Sequence, residues 1–126
     1  MKNSYLKIAG VLNLLTAIVH LIAGQIDLVN PLIDSNMMIQ AKGEFVAVWH
    51  MVTILLFFTS YHILVAAFKG LEIKDTSHLK LISDFYMLSG IPFLVASVWF
   101  SIFAPQWILL IPIGLLLRIG LRKLGE

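Results

Sequence analysis

The chain has 126 residues, of which 60% are hydrophobic and 13% charged, with a net charge of +2 and no cysteine. Soluble domains are roughly 45–50% apolar and about 25% charged, so the composition predicts a membrane protein. The lack of cysteine excludes disulfides, thiolate metal sites and thiol redox chemistry, and any redox role would require a bound cofactor.

Four apolar stretches are long enough, or nearly so, to cross a bilayer. About 20 apolar residues are needed, because roughly 30 Å of hydrocarbon is crossed at about 1.5 Å per residue. We therefore expect an all-α integral membrane four-helix bundle, up-down in topology, formed by residues 1–126 as one domain. The predicted spans are 5–24, 45–68, 79–103 and 107–121.

Polar or small residues follow one helical face of each of the first three spans. Such side chains usually face protein rather than lipid, so these faces should meet inside the bundle. The residues are Asn13, Thr16, His20, Gly24 and Asp27 on the first span, His50, Thr53 and Ser60 on the second, and Ser83, Tyr86, Gly90, Ser97 and Ser101 on the third.

The loop 25–44 between the first two spans carries its own helix signals. Asn30 followed by Pro31 resembles an N-cap with proline at the first helical position, and Gly43 is a candidate terminator about three turns later. We expect a short interfacial helix here, resting on the membrane surface like a lid.

The distribution of basic residues predicts the orientation of the spans. Eight of the nine fall on one side, which is a strong positive-inside signal. Both termini are therefore expected in the cytoplasm and the loop 25–44 outside, as in a multi-pass protein of a bacterial inner (plasma) membrane. The eight are Lys2, Lys7, Lys69, Lys74, Lys80, Arg118, Arg122 and Lys123, and the ninth is Lys42.

Two histidines lie at matching depth on consecutive spans. Both His20 and His50 are predicted roughly 6 to 8 Å below the outer helix ends. Two facing imidazoles can bind a metal ion such as copper or iron, or ligate haem, so both are candidate metal ligands. Asp27, Trp49 and Thr53 lie near them and are candidate residues of the same ligand-binding pocket. The alternatives are a proton-handling role and a structural one, in which each imidazole bonds a carbonyl or hydroxyl group.

A second polar layer is predicted near the inner surface, formed by His62, Asp84 and Arg118. A charge at mid-membrane costs about 3 kcal/mol on insertion scales, so Asp84 and Arg118 require a partner or a route to water. One interpretation is a salt bridge or a network of all three residues, which would mark the inner end of a polar path. The other is that the charged side chains extend to the lipid headgroups.

The first half of the chain resembles an uncharacterised family of small four-span bacterial inner-membrane proteins. The resemblance implies a fold and a candidate site without naming an activity. Small multidrug transporters are similar in length and span number, but they carry a glutamate in the first span, which this sequence lacks. The pattern consists of a first-span histidine and glycine, Pro-Leu in the loop and Trp-His-Met-Val-Thr at the second span, here His20, Gly24, Pro31, Leu32, Trp49, His50 and Thr53.

These features predict a membrane protein whose outward-facing pocket, around the two histidines, binds a metal ion, haem or a small apolar ligand. The alternatives are a small transporter or channel component and a non-catalytic membrane interaction subunit. The expected partners are the lipid bilayer and a small ligand, without nucleic acid, and a homodimer would enlarge the pocket. Phosphate loops, nucleophile elbows and zinc-protease motifs do not occur in the sequence, so no enzyme class is predicted.

Overall fold

The computed structural model describes residues 4–69 and 76–125. These residues are helical apart from short turns and include no strand, which confirms the predicted all-α class. The elements are α1 (Ser4–Gly24), a π-helical segment (Gln25–Val29), α2 (Asn30–Asp34), α3 (Ile39–Lys69), α4 (Ser77–Trp99) and α5 (Gln106–Gly125).

Three of the described helices are long and apolar enough to cross a bilayer. The first is α1 with its continuation to Asp34, and the others are α3 and α4. The C-terminal half of α5 carries Arg118, Arg122 and Lys123, which shortens its apolar part. A fourth crossing and the cytoplasmic placement of both termini stay predictions, and Lys2 and Lys74 lie outside the described residues.

The connection between the first two long helices is shorter than predicted. A short helix does occupy Asn30–Asp34 with Pro31 in its first turn, but Asn30 is not its N-cap, because Asn30 is itself helical and continues the preceding π-helical segment. The next helix already starts at Ile39. Gly43 is therefore an interior residue of α3, and its predicted role as a terminator is wrong. Across this turn the Gln40 amide donates to Glu44 Oε1 at 3.0 Å, a spacing that stabilises a helix by a few tenths of a kcal/mol.

The third long helix ends at Trp99, four residues before the predicted limit of 103. Ser101 has a positive φ of 53°, which takes the chain out of the helix. The Ala104 N–H donates to Ser97 Oγ at 3.2 Å, and Pro105 disfavours helical geometry at the residue before it.

Neighbouring long helices run antiparallel. α1 lies between α3 and α5, and α4 packs mainly on α5. Gly10 lies against Leu64 of α3, whereas Gly24, later in α1, lies against the earlier Trp49. Between membrane helices such close packing, rather than the hydrophobic effect, supplies much of the association energy.

The two ends of the bundle differ in packing. Near the start of α1 the fully buried side chains include four large aliphatic ones, namely Leu6, Ile63, Leu79 and Leu117. The opposite end, where α1 passes into the π-helical segment, contains a cavity and is called the cavity end below. Many side chains on the outer faces of the helices are apolar and exposed, as expected for contact with lipid.

Candidate functional site

A cavity of about 290 Å³ lies at the cavity end of the bundle. Its walls come from α1 and the π-helical segment, the first half of α3, the start of α5 and one residue of α4. This volume is at the lower limit of the roughly 300–1,000 Å³ typical of small-molecule sites. Most of the lining is apolar, and the lining side chains that carry nitrogen or oxygen are Thr16, His20, Asp27, Trp49 and Gln106.

His20 is held by Thr53, whose hydroxyl oxygen lies 3.0 Å from His20 Nδ1 and 3.1 Å from the Trp49 carbonyl oxygen. The hydroxyl has one proton, so two arrangements fit these distances. If Thr53 donates to the carbonyl oxygen, Nδ1 carries the imidazole proton and Nε2 is an acceptor; if Thr53 donates to Nδ1, Nε2 carries the proton. Nε2 has no hydrogen-bond partner among the described residues, so it is free to bond a ligand on a residue that lines the cavity.

The His20 imidazole stacks on the Trp49 indole, with ring centroids 4.0 Å apart and planes 12° from parallel. Gly24 makes this position of the indole accessible, because a Cβ there would overlap Trp49 Cζ2. Gly24 has an ordinary helical φ of −67°, so glycine is required here for space rather than for backbone conformation. His20, Trp49 and Thr53, which the sequence predicted as neighbours, are thus brought together.

The wall of the cavity includes a break in the regular α-helical pattern. Directly after Gly24 the chain adopts π-helical geometry over Gln25–Val29. Short π-helical segments inside helices occur frequently at functional sites. Asp27, in the middle of the segment, is exposed and lines the cavity, and it has no polar partner among the described residues.

Two residues of the cavity wall contain buried polar atoms without a hydrogen-bond partner. They are Trp49 Nε1, a donor, and Gln106 Oε1, an acceptor. Among the described residues no other buried side-chain nitrogen or oxygen lacks a partner. Leaving such a group unpaired costs about 1–3 kcal/mol, so each atom would be stabilised by a hydrogen-bond partner. Both atoms have almost no accessible surface, so a ligand in the cavity could pair with them only after a small shift of the wall. Gln106 was not predicted, because its sequence position is typical of a solvated helix start.

His50 is placed differently from His20. It is half-buried on α3, and it does not line the cavity. Among residues 4–69 and 76–125, no group of three or more His, Cys, Asp or Glu side chains is arranged to hold a metal ion. Ligation of a metal ion or haem by His20 and His50 stays a prediction.

A buried hydrogen-bond ring lies about two helical turns from His20, toward the other end of the bundle. The Asn13 amide donates to Thr59 Oγ1 at 3.0 Å, and the Tyr86 hydroxyl donates to Asn13 Oδ1 at 2.7 Å. Thr59 Oγ1 and the Tyr86 hydroxyl oxygen are 2.7 Å apart, which closes the ring. Asn13, Thr59 and Tyr86 are at most 4% exposed. Asn13 and Tyr86 belong to the predicted polar faces, whereas Thr59 was missed.

The predicted inner layer is divided into two groups. Arg118 Nη1 donates to Asp84 Oδ1 at 2.8 Å, and these side chains are 42% and 48% exposed. His62 makes no contact with this pair; it lies against Phe58 and 6.0 Å from His78, measured between ring centroids. The sequence therefore identified a real ion pair, but a network of all three residues is absent from the described part of the chain. A functional role for the layer stays a prediction.

No protein-family model, curated protein or solved structure matches this chain. The resemblance to small four-span membrane proteins therefore stays a prediction, and the functional assignment depends on the cavity.

Proposed function

We propose that this protein is a small membrane protein that binds a small, mostly apolar ligand in the cavity beside His20. The observation that carries the proposal is the combination of an apolar cavity with three polar atoms lacking protein partners. These atoms are His20 Nε2, Trp49 Nε1 and Gln106 Oε1. Binding sites for small molecules commonly have this form, with an apolar wall and a few polar groups that orient the ligand.

The proposal includes the orientation predicted from the basic residues. Four spans with both termini in the cytoplasm would place the cavity end on the outer side, facing the periplasm in a bacterium. His20 and Thr53 would then lie near the outer surface and the Asp84–Arg118 pair near the inner one. The buried ring that contains Asn13 and Thr59 lies between these two levels. It favours a binding site that is closed on its inner side, and it disfavours a continuous polar path through the bundle.

Quenching of Trp49 fluorescence by nitrobenzene, a small apolar quencher, tests this proposal. The reference protein carries Trp99→Phe and Trp107→Phe, so that Trp49 is its only tryptophan, and is reconstituted in lipid nanodiscs. We expect a saturable quenching component from occupancy of the cavity, above the linear background of nitrobenzene dissolved in lipid.

A matched pair of substitutions locates the quenching. Ala23→Phe fills the cavity and should abolish the saturable component, whereas Ala47→Phe adds the same ring at an exposed position of α3 and should preserve it. Linear quenching in every protein, without saturation, would contradict the proposed binding site.

A further inference from the structure

Part of the apolar wall of the cavity is also exposed on the outside of the bundle. Val19 and Leu28 line the cavity, yet they are 55% and 50% exposed. In a membrane helix, exposed apolar side chains contact hydrocarbon. An opening between these two side chains would give molecules dissolved in the bilayer a lateral route to His20, and an apolar tail could extend through it into lipid.

The charges around the cavity disfavour an anionic ligand. Among the described residues, Asp27 and His20 are the only ionisable ones that line it, and no described lysine or arginine does so. Lys42, on the nearby start of α3, instead donates to the Ile33 carbonyl oxygen at 2.6 Å. A carboxylate or phosphate headgroup would thus meet Asp27 without a compensating cation.

The free polar atoms call for a ligand that can both donate and accept a hydrogen bond. Gln106 Oε1 is an acceptor and Trp49 Nε1 is a donor, and His20 Nε2 is an acceptor in the tautomer whose Nδ1 donates to Thr53. A hydroxyl group satisfies both requirements with one oxygen atom. An ether or a carboxylate can accept from Trp49, but it has no proton to donate to His20.

From these observations we propose that the ligand is an uncharged amphiphile with a hydroxyl group and a single hydrocarbon chain, which reaches the cavity from the surrounding leaflet. The hydroxyl donates to His20 Nε2, and the chain leaves between Val19 and Leu28. This inference depends on the proposed function, because it specifies the ligand class of the same cavity.

Photolabelling with three matched probes tests the ligand class. The probes are hexadecanol carrying a diazirine at mid-chain, its methyl ether and the corresponding carboxylic acid, each added to the full-length protein in phosphatidylcholine nanodiscs. Labelled residues are mapped by mass spectrometry of peptides. We expect the alcohol to label residues around the cavity opening roughly 3- to 10-fold more than either analogue, as one net hydrogen bond predicts.

Excess unlabelled hexadecanol should suppress this labelling, while labelling of the exposed face around Val98 should be equal for the three probes.

His20→Leu should remove the preference for the alcohol, and His50→Leu should retain it, because His50 does not line the cavity. Both variants are first compared with the wild type in thermal unfolding. If His20→Leu unfolds, the competition and the comparison of the three probes on the wild type decide alone.

Equal labelling by the three probes, or labelling that excess hexadecanol does not reduce, would overturn the inference. The nitrobenzene experiment separates this outcome from failure of the proposed function. Saturable quenching with equal labelling would reject only the hydroxyl amphiphile, whereas loss of both signals would reject the binding site itself.

Discussion

The hydrogen-bond ring in the middle of the bundle and the cavity at its end contain similar polar side chains, but they differ in hydrogen-bond saturation. In the ring, Asn13, Thr59 and Tyr86 are buried, and the side-chain oxygens and the amide nitrogen all find partners on neighbouring helices. At the cavity, Trp49 and Gln106 each have a buried polar atom without a partner. The ring therefore has the properties of a structural element, and the cavity has those of a ligand site.

The difference shows that polarity alone does not identify a site in a membrane bundle. Buried polar residues that satisfy one another specify how helices pack, and they leave nothing for a ligand to bind. Unpaired groups beside an open volume have the opposite meaning. This distinction makes opposite predictions for substitutions in the two regions, since the first should alter stability and the second binding.

The largest effect is expected from Asn13→Leu, which removes three side-chain hydrogen bonds between helices. We expect the free energy of unfolding to fall by about 1–3 kcal/mol, because Thr59 and Tyr86 keep buried polar groups with fewer partners. Thr16→Val is the control, since the Thr16 hydroxyl bonds only the Leu12 carbonyl of its own helix, and it should change stability by no more than about 0.5 kcal/mol. Unfolding in detergent measures both, and equal losses would mean that the ring has no special role.

Gly24→Ala should be next in size and should affect the cavity directly. The new methyl group overlaps Trp49, so the indole must leave its stacked position on His20. We expect a loss of about 1 kcal/mol of stability together with weaker saturable quenching of Trp49 by nitrobenzene.

Gly43→Ala provides the matched control for this substitution. A Cβ at Gly43 meets nothing within 4 Å, so stability should be unchanged or rise by up to about 1 kcal/mol, with normal quenching. Normal quenching in Gly24→Ala as well would show that the Trp49 position is unimportant for binding.

Thr53→Val should have a smaller effect on stability and a selective effect on the ligand. Without the Thr53 hydroxyl, Nδ1 of His20 loses its hydrogen-bond partner, and the balance between the two tautomers of the imidazole changes. We expect a lower alcohol-to-ether ratio in photolabelling, with stability within about 1 kcal/mol of the wild type. Thr53→Ser retains the hydroxyl and should restore the ratio. An unchanged ratio in Thr53→Val would mean that Thr53 does not orient His20.

The smallest effect is expected from His50→Leu, which should leave saturable nitrobenzene quenching unchanged. The same protein, purified without chelator, tests the alternative in which both histidines ligate a metal ion or haem. Metal analysis and the visible absorption spectrum of the wild type, His20→Leu and His50→Leu are the measurements. A stoichiometric metal or a Soret band that disappears in both variants would contradict an apolar ligand as the main occupant.

The sequence predicted the helices and part of the site because both depend on local periodicity and depth. The stripe of small and polar residues on α1 placed His20 and Gly24 inside the bundle, where the structure has them against Trp49. Depth also matched His20 with the first half of α3, where Thr53 bonds it.

What the sequence did not predict depends on rotation and on packing between helices. His50 follows Trp49 by one residue, so its side chain points about 100° away from that of Trp49 around the helix axis. His50 therefore does not line the cavity, although its depth was predicted to match that of His20. Thr59 could satisfy its hydroxyl on a carbonyl of its own helix, so nothing in the sequence indicated its bonds to Asn13 and Tyr86. Gln106 enters the cavity wall through the packing of α5, which no local pattern records.

Nitrogen NMR of histidine-labelled protein in nanodiscs, recorded while decanol is added, tests the role of His20 most directly. The His20 resonances are assigned by comparison with His20→Leu. We predict a protonated Nδ1 and an unprotonated Nε2 whose resonance moves saturably with decanol and stays unchanged with decyl methyl ether. A protonated Nε2 in the wild type, or an Nε2 resonance that does not respond to decanol, would contradict His20 as the group that binds the ligand.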